Sequence, residues 1–331
     1  MESLELQKQF FDYIKEKLPP HLSLVDEVAE VLGISNDSAY RRIRGEKPIA
    51  FEEIRTLCKR FRVSLDHMIN ITTDSTVFSG SWVEKDGFNF DNHLNDMLFQ
   101  LEQINKAKVK EFYYEAKDIP PFHHFQFPDL AAFKYFFWMR TILGYDRYQK
   151  CDFESHDLTQ ALMDVGKKII KTYTQIPSTE IWSIETLNST LRQIEYYRET
   201  GVFKKKESIA TLYDEVEKLI KHIQAQAECG EKFLIGEQPS GSTGNFKLFF
   251  NEVILGHNTV LAVTDDVKTV FINHAIINYI ITRNANFCNQ THQSLNNIIQ
   301  KSSLISSVSE KERNKFFNAL YKKIEARRNN L

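Results

Sequence analysis

The chain has 331 residues, 42% of them hydrophobic and 26% charged, with a formal net charge of −2. The length exceeds the ~100–200 residues of one ordinary domain, and the composition excludes a disordered, collagen-like or membrane-embedded chain. The small net charge excludes a global field that would draw the molecule to nucleic acid or anionic lipid, so any such affinity has to be local.

The four cysteines, Cys58, Cys151, Cys229 and Cys288, lie far apart with no CxxC pair. This predicts reduced, mostly buried thiols rather than a secreted disulfide framework. MESLELQKQFFDYIKEKL carries acids from its second residue and no apolar core of a signal peptide. LAAFKYFFWMRTIL and VFINHAIINYII, the most apolar runs, fall short of the ~20 residues of a membrane span. A cytoplasmic protein with no membrane partner is expected.

The chain opens with an amphipathic helix over 4–18, striped by Phe11, Ile14 and Leu18 and stopped by Pro19-Pro20. Ser23 and Asp26 form a capping-box pattern for a second helix with Val25, Val28, Ala29 and Leu32 on one face, ended by Gly33. Ser35 is placed to cap a third helix, 36–44, that ends at Gly45. Phe51, Ile54, Cys58 and Phe61 stripe a fourth, and Ser64 is placed to cap a short fifth through Met68. Residues 1–70 are thus predicted to form an all-α domain.

From 71 to 90 the periodicity fails in a Ser/Thr/Gly/Asp-rich stretch, read as a linker. Residues 91–331 are expected to form a larger, mostly helical α+β domain with a small antiparallel sheet. Its helices are placed at 91–106, 128–143, 155–172, 180–199, 205–228, 286–300 and from Ser309, with SEKE as a capping box, to Arg328. VKEFYYEA alternates like a strand, and NFKLFFNEVIL, NTVLAVTDD and TVFINHAIINYII read as a meander, although the last equally suits a strand followed by a helix.

The third helix is the densest in chemistry. With Ala39 and Ile43 turned inward, the opposite face carries Asp37, Ser38, Arg41 and Arg44, with Tyr40 at its edge. Exposed polar side chains near a helix N-terminus are what a major-groove reader needs, since Asn pairs with adenine, Arg with guanine, and Asp accepts from cytosine. Residues 38–62 hold eight basic residues against three acids, a local +5, whereas 1–78 holds eleven against thirteen, or −2. The positive charge is therefore concentrated where phosphates would lie.

The segment VAEVLGISNDSAYRRIRGEKPIAFEEIRTLCKRFRVSLDHMI, 28–69, resembles the lambda-repressor-like (Cro/XRE-type) helix-turn-helix family. The shared features are the Gly33-Ile34-Ser35 turn, the spacing from Gly33 to Gly45, and VSLD opening the fifth helix. The resemblance implies double-stranded DNA as partner, base contacts from Asn36, Asp37, Tyr40 and Arg41, and phosphate contacts from Gly45 to Lys47. The rotation of the helix adds Ser38 and Arg44 to the base-facing set, and the local basic charge adds Arg42 to the phosphate-facing one. Two features depart from the family. The first helix is longer and more apolar, and the usual phosphate-holding Gln at the start of the second is missing.

Other signals are weaker. GEQPSGST (236–243) lacks the Lys of a phosphate-binding loop and precedes a strand. His123-His124 near Glu115 and Asp118 has no helical HxxxH spacing, so ordinary polar residues at a strand-to-helix connection are expected and no metal or cofactor. Phe125, Phe127, Phe133, Phe136, Phe137 and Trp138 read first as core, with an apolar pocket or dimer interface as alternatives. No catalytic constellation occurs, so the expectation is a homodimeric, non-enzymatic transcriptional regulator with an unknown small-molecule or protein effector. The competing reading is an adaptor whose helix-turn-helix binds a protein partner.

Overall fold

Serine caps and left-handed glycines set the short N-terminal helices. In the computed structural model, which describes residues 2–19, 22–61, 63, 65, 76–80, 89–154, 160–239, 246–253, 255–265, 267–275 and 277–329, Ser23 Oγ accepts from the Asp26 amide at 3.5 Å and opens α2 (Leu24–Leu32). Gly33, at φ 62°, closes it in a conformation that a β-carbon would strain. Ser35 Oγ accepts from the Ser38 amide at 3.3 Å and opens α3 (Asn36–Ile43). These follow α1 (Glu2–Lys17) and precede α4 (Phe51–Phe61). Phe10, Phe11 and Ile14 of α1 join Val28, Ala29, Ala39, Leu57 and Val63 in one buried cluster. The long apolar first helix is thus a wall of this core. The fifth helix and its Ser64 cap lie outside the described residues.

Backbone contacts divide the chain into two units, 1–77 and 78–331. The second is built on a seven-stranded mixed sheet of order β6-β5-β4-β1-β2-β3-β7. The strands are β1 (Lys110–Ala116), β2 (Ser178–Trp182), β3 (Phe246–Phe250), β4 (Asn258–Thr264), β5 (Val267–Ala275), β6 (Asn278–Thr282) and β7 (Ser303–Leu304). This corrects the expected small antiparallel sheet. β4, β5 and β6 do form a meander, but β1, β2 and β3 run parallel to one another. Parallel neighbours need long crossovers, and helices supply them. α5 (Phe90–Lys106) precedes β1. Between β1 and β2 come α6 (Pro121–His124), α7 (Pro128–Phe137), a π-turn (Trp138–Ile142), α8 (Asp146–Gln149) and α9 (Gln160–Thr174). α10 (Asn188–Glu199) and α11 (Lys206–Cys229) link β2 to β3. α12 (Ala285–Gln300) packs Cys288 and Leu295 on Leu261 and Val270 of one sheet face, and α13 (Glu310–Arg328) joins the main core through Phe316, Phe317, Leu320 and Ile324.

Several local expectations change. The helix placed at 180–199 begins at Asn188, because Ser178–Trp182 is a strand. TVFINHAIINYII is two strands. Ser309 sits at φ 56° and makes no side-chain cap bond, so the predicted capping box is absent. Within the stretch read as a linker, Ser79 exchanges two backbone hydrogen bonds of 2.7 Å with Ile281 of β6. Of the cysteines, only Cys288 is buried, Cys151 and Cys229 being exposed. All six aromatics of the 125–138 cluster are buried core.

His123 and His124 stand on α6, between β1 and α7 where a strand-to-helix connection was expected, and both are buried. His123 Nε2 lies 2.9 Å from Glu180 Oε1, which also accepts from Tyr173 Oη at 2.6 Å, while Trp182 Nε1 donates to Glu180 Oε2 at 2.7 Å. Burial works to raise the Glu180 carboxyl, but His123, Tyr173 and Lys232 outweigh it and hold the group below its ordinary range. Lys232 Nζ donates to the Tyr173 and Ile176 carbonyls and lies 3.6 Å from the Tyr173 ring centre. A charge this deep persists only with such partners. Among the described residues no group of three or more His, Cys, Asp or Glu suits a metal ion.

Lys134 on α7 is also buried, donating to Thr190 Oγ1 and Gln193 Oε1, each at 2.8 Å. Burial pulls its ammonium down to about 7. An unfolded lysine keeps its proton to about pH 10.4, so above pH 7 the unfolded chain binds more protons and stability rises with pH. Lys232, also pulled down to about 7 by burial, acts in the same direction. The melting temperature of the 78–331 unit is therefore expected to climb from pH 7 to 9, and Lys134→Met to flatten that climb. Equal slopes in both proteins would contradict the assignment.

Candidate nucleic-acid interface

Ala39 is fully buried and Ile43 half-buried, which fixes the rotation of α3. With that rotation Asn36, Asp37, Tyr40, Arg41 and Arg44 are exposed together, as is Lys47 in the loop beyond. Asn36 Nδ2 donates to Asp26 Oδ1 at 2.8 Å, which ties the head of α3 to α2. Asp37 lies in the first turn, where a carboxylate is favoured by the helix dipole. The Arg44 guanidinium stands 5.5 Å from the Tyr40 ring centre and 3.4 Å from Glu46 Oε1, both on exposed ground. Exposed pairs of this kind are weak, so both groups can be recruited by a stronger partner.

Three expected site residues are placed differently. Arg42 is turned inward, only 6% exposed. Its Nη2 and Nε donate to Glu53 Oε1 and Oε2 at 2.7 and 3.0 Å. Its Nη1 donates to the Ser38 hydroxyl at 2.6 Å and the Ser38 carbonyl at 3.2 Å. With four of its five N–H donors engaged and its side chain buried, the guanidinium is not displayed to a phosphate, and Arg42 is a bolt between α3 and α4. Ser38 follows from this, because its half-buried hydroxyl accepts from Arg42 and does not face bases. Gly45 is buried at φ 77°, and its amide already donates to the Arg42 carbonyl at 2.9 Å. It turns the chain instead of holding phosphate.

Two residues that sequence reasoning passed over hold this surface in place. Gln7 of α1 donates through Nε2 to the carbonyls of Arg42 and Lys47, at 2.6 and 2.9 Å, and accepts from the Ile49 amide at 3.1 Å. One side chain thus pins both ends of the loop after α3. Nothing local marks it, since its partners are 35 to 42 residues away. Glu53 also accepts from the Ala50 amide at 2.9 Å, satisfying one unpaired donor at the head of α4. A Glu three residues after a helix entry was a usable signal for that role.

GEQPSGST leads to β3 rather than a helix, and its residues 240–243 lie outside the described set. No known protein family, curated protein or solved structure matches the chain. Among the described residues no helix is long and apolar enough to cross a membrane.

Removing one partner of a buried ion pair typically costs ~3–5 kcal/mol, and the part exposure of Glu53, 21% of its side chain, lowers this to roughly 2–3. Arg42→Ala should destabilise the 1–77 unit by that amount in denaturant unfolding. The bond from Arg42 holds the Glu53 carboxyl below its usual range. Its stabilisation is therefore fully present above the unfolded value of 4.5 and lost as pH falls through the lowered folded value. Glu53→Gln should weaken that acid-side loss, and an unchanged acid limb would contradict the pairing.

Proposed function

We propose that the chain is a sequence-specific DNA-binding transcriptional regulator, in which α3 enters the major groove and the 78–331 unit serves dimerisation or effector sensing. The observation that carries this reading is the sorting of α3 into two faces. One is locked by Ala39 and Arg42, and the other offers Asn36, Asp37, Tyr40, Arg41 and Arg44 together. A rigid helix with hydrogen-bonding side chains displayed from one face can read base edges in the major groove. Exposed Lys47, Arg55, Lys59 and Arg60 supply cations for phosphates on the same unit. Two copies on two half-sites would multiply the few base contacts that one α3 makes.

The second reading, a protein-binding adaptor, has one observation in its favour. Phe51, at the head of α4, is 73% exposed, and Tyr40 is 48% exposed. An apolar partner surface suits them better than phosphates do.

Salt distinguishes the two. For DNA, affinity should fall linearly in log–log with salt, and Lys47→Ala should lessen the slope by about one. Arg41→Ala is expected to cost about 1–3 kcal/mol on the preferred site and much less on random DNA. Binding of genomic targets that is unchanged in Arg41→Ala would refute the reading.

A further inference from the structure

Between α5 and the sheet lies a cavity of about 590 Å3, a size that suits a drug-sized molecule. Its floor is a single straight row across four strands. Tyr114 of β1 pairs with Val260 of β4, Val260 with Phe271 of β5, and Phe271 with Ile281 of β6. All four side chains line the space. Beyond Ile281 the row continues to Ser79, whose two backbone bonds add one more rung. Gly80 follows, and a β-carbon there would stand 3.0 Å from Ile280 Cγ2, a tight contact that glycine avoids. Met97, Leu101 and Ile104 of α5 form the opposite wall.

The polar groups on this surface are, apart from one carboxylate, uncharged at neutral pH. Asn92, Gln100 and Asn278 present amides, and the hydroxyls of Tyr114 and Tyr279 lie 2.9 Å apart. Among the described lining residues there is no lysine or arginine, and Asp96 is the one carboxylate. His93, which lines this cavity and the smaller one beside it, is driven down to about 4 by burial and is uncharged at neutral pH. Lys134 lines an adjoining chamber of about 40 Å3, room for a few water molecules, that shares His93, Met97, Tyr114, Pro121 and Tyr279 with the large cavity, and its ammonium is already bonded to Thr190 and Gln193. An anion in the large cavity would lose hydration and meet no counter-charge among these residues, and a cation would lose hydration and find only Asp96, which is exposed and so screened by water.

We propose that this cavity is a binding site for an uncharged, largely apolar small molecule carrying hydroxyl, carbonyl or amide groups. The apolar row and the α5 wall take up the body of the ligand. The tyrosine pair and the amides satisfy its polar groups without charge. The site lies wholly within the 78–331 unit and does not depend on whether α3 binds DNA.

Three probes with the same ring and different charge test this on the full chain: 2-naphthalenemethanol, 2-naphthoate and 2-naphthylmethylammonium, each titrated by calorimetry at pH 7.5. The neutral alcohol is expected to bind at one site per chain, and both ions at least about tenfold more weakly. Met97→Trp, which fills the cavity from the α5 wall, should weaken the alcohol about tenfold or more. Gln100→Trp, at a half-buried position on the same wall outside the core, should do the same in a protein whose fold is not in question. The proposal is overturned if the alcohol shows no saturable binding or if either ion binds as tightly. Unchanged binding of the alcohol to Gln100→Trp overturns it as well.

Discussion

The N-terminal unit depends on one buried guanidinium. Arg42 joins the middle of α3 to the head of α4 through two bonds to Glu53, and returns to Ser38 on its own helix. Glu53 in turn caps α4 through the Ala50 amide. The direction of α3, the start of α4 and the shape of the loop between them are thus set by one pair of side chains. Gln7 then clamps that loop from α1. The exposed residues of α3 inherit their geometry from this arrangement, since a displayed side chain is only as well placed as the backbone beneath it.

The larger unit meets a different constraint. Its sheet has helices on both faces, so inward-facing polar groups must find partners inside the protein. Glu180 does so in the middle of β2, collecting His123, Tyr173 and Trp182 from α6, α9 and its own strand. Lys232 adds the Tyr173 and Ile176 carbonyls. These bonds tie the crossover helices to the strand they surround. Where α5 spans the β1-β4-β5-β6 side, the packing leaves the cavity floored by Tyr114, Val260, Phe271 and Ile281.

Local order was legible in the sequence, and long-range pairing was not. Ser23, Gly33 and Ser35 set helix ends within three or four residues, and the structure places those ends as read. Exposure of Asp37, Tyr40, Arg41 and Arg44 followed from turning α3 about Ala39 and Ile43, while Ser38, placed on the same face, is half-buried under Arg42. Arg42 was misplaced because the residue that buries it, Glu53, stands on the next helix, and charge alone suggests solvent. β2 was read as helix because Glu180 interrupts an otherwise strand-like STEIW, and its buried partners are not sequence neighbours. The sheet order escaped for the same reason, as β1 lies beside β4, whose partner positions come some 150 residues later. Gln7 had no local signal at all.

DNA reading by the exposed face of α3, the role proposed for it, rests on the display of Asn36, Asp37, Tyr40, Arg41 and Arg44 together. The most direct test is genome-wide chromatin pull-down of the intact protein, followed by motif analysis of the recovered sites. One shared motif is expected, present as paired half-sites about one helical turn apart. Recovery of DNA with no shared motif, or no enrichment over a control lacking the protein, would contradict it.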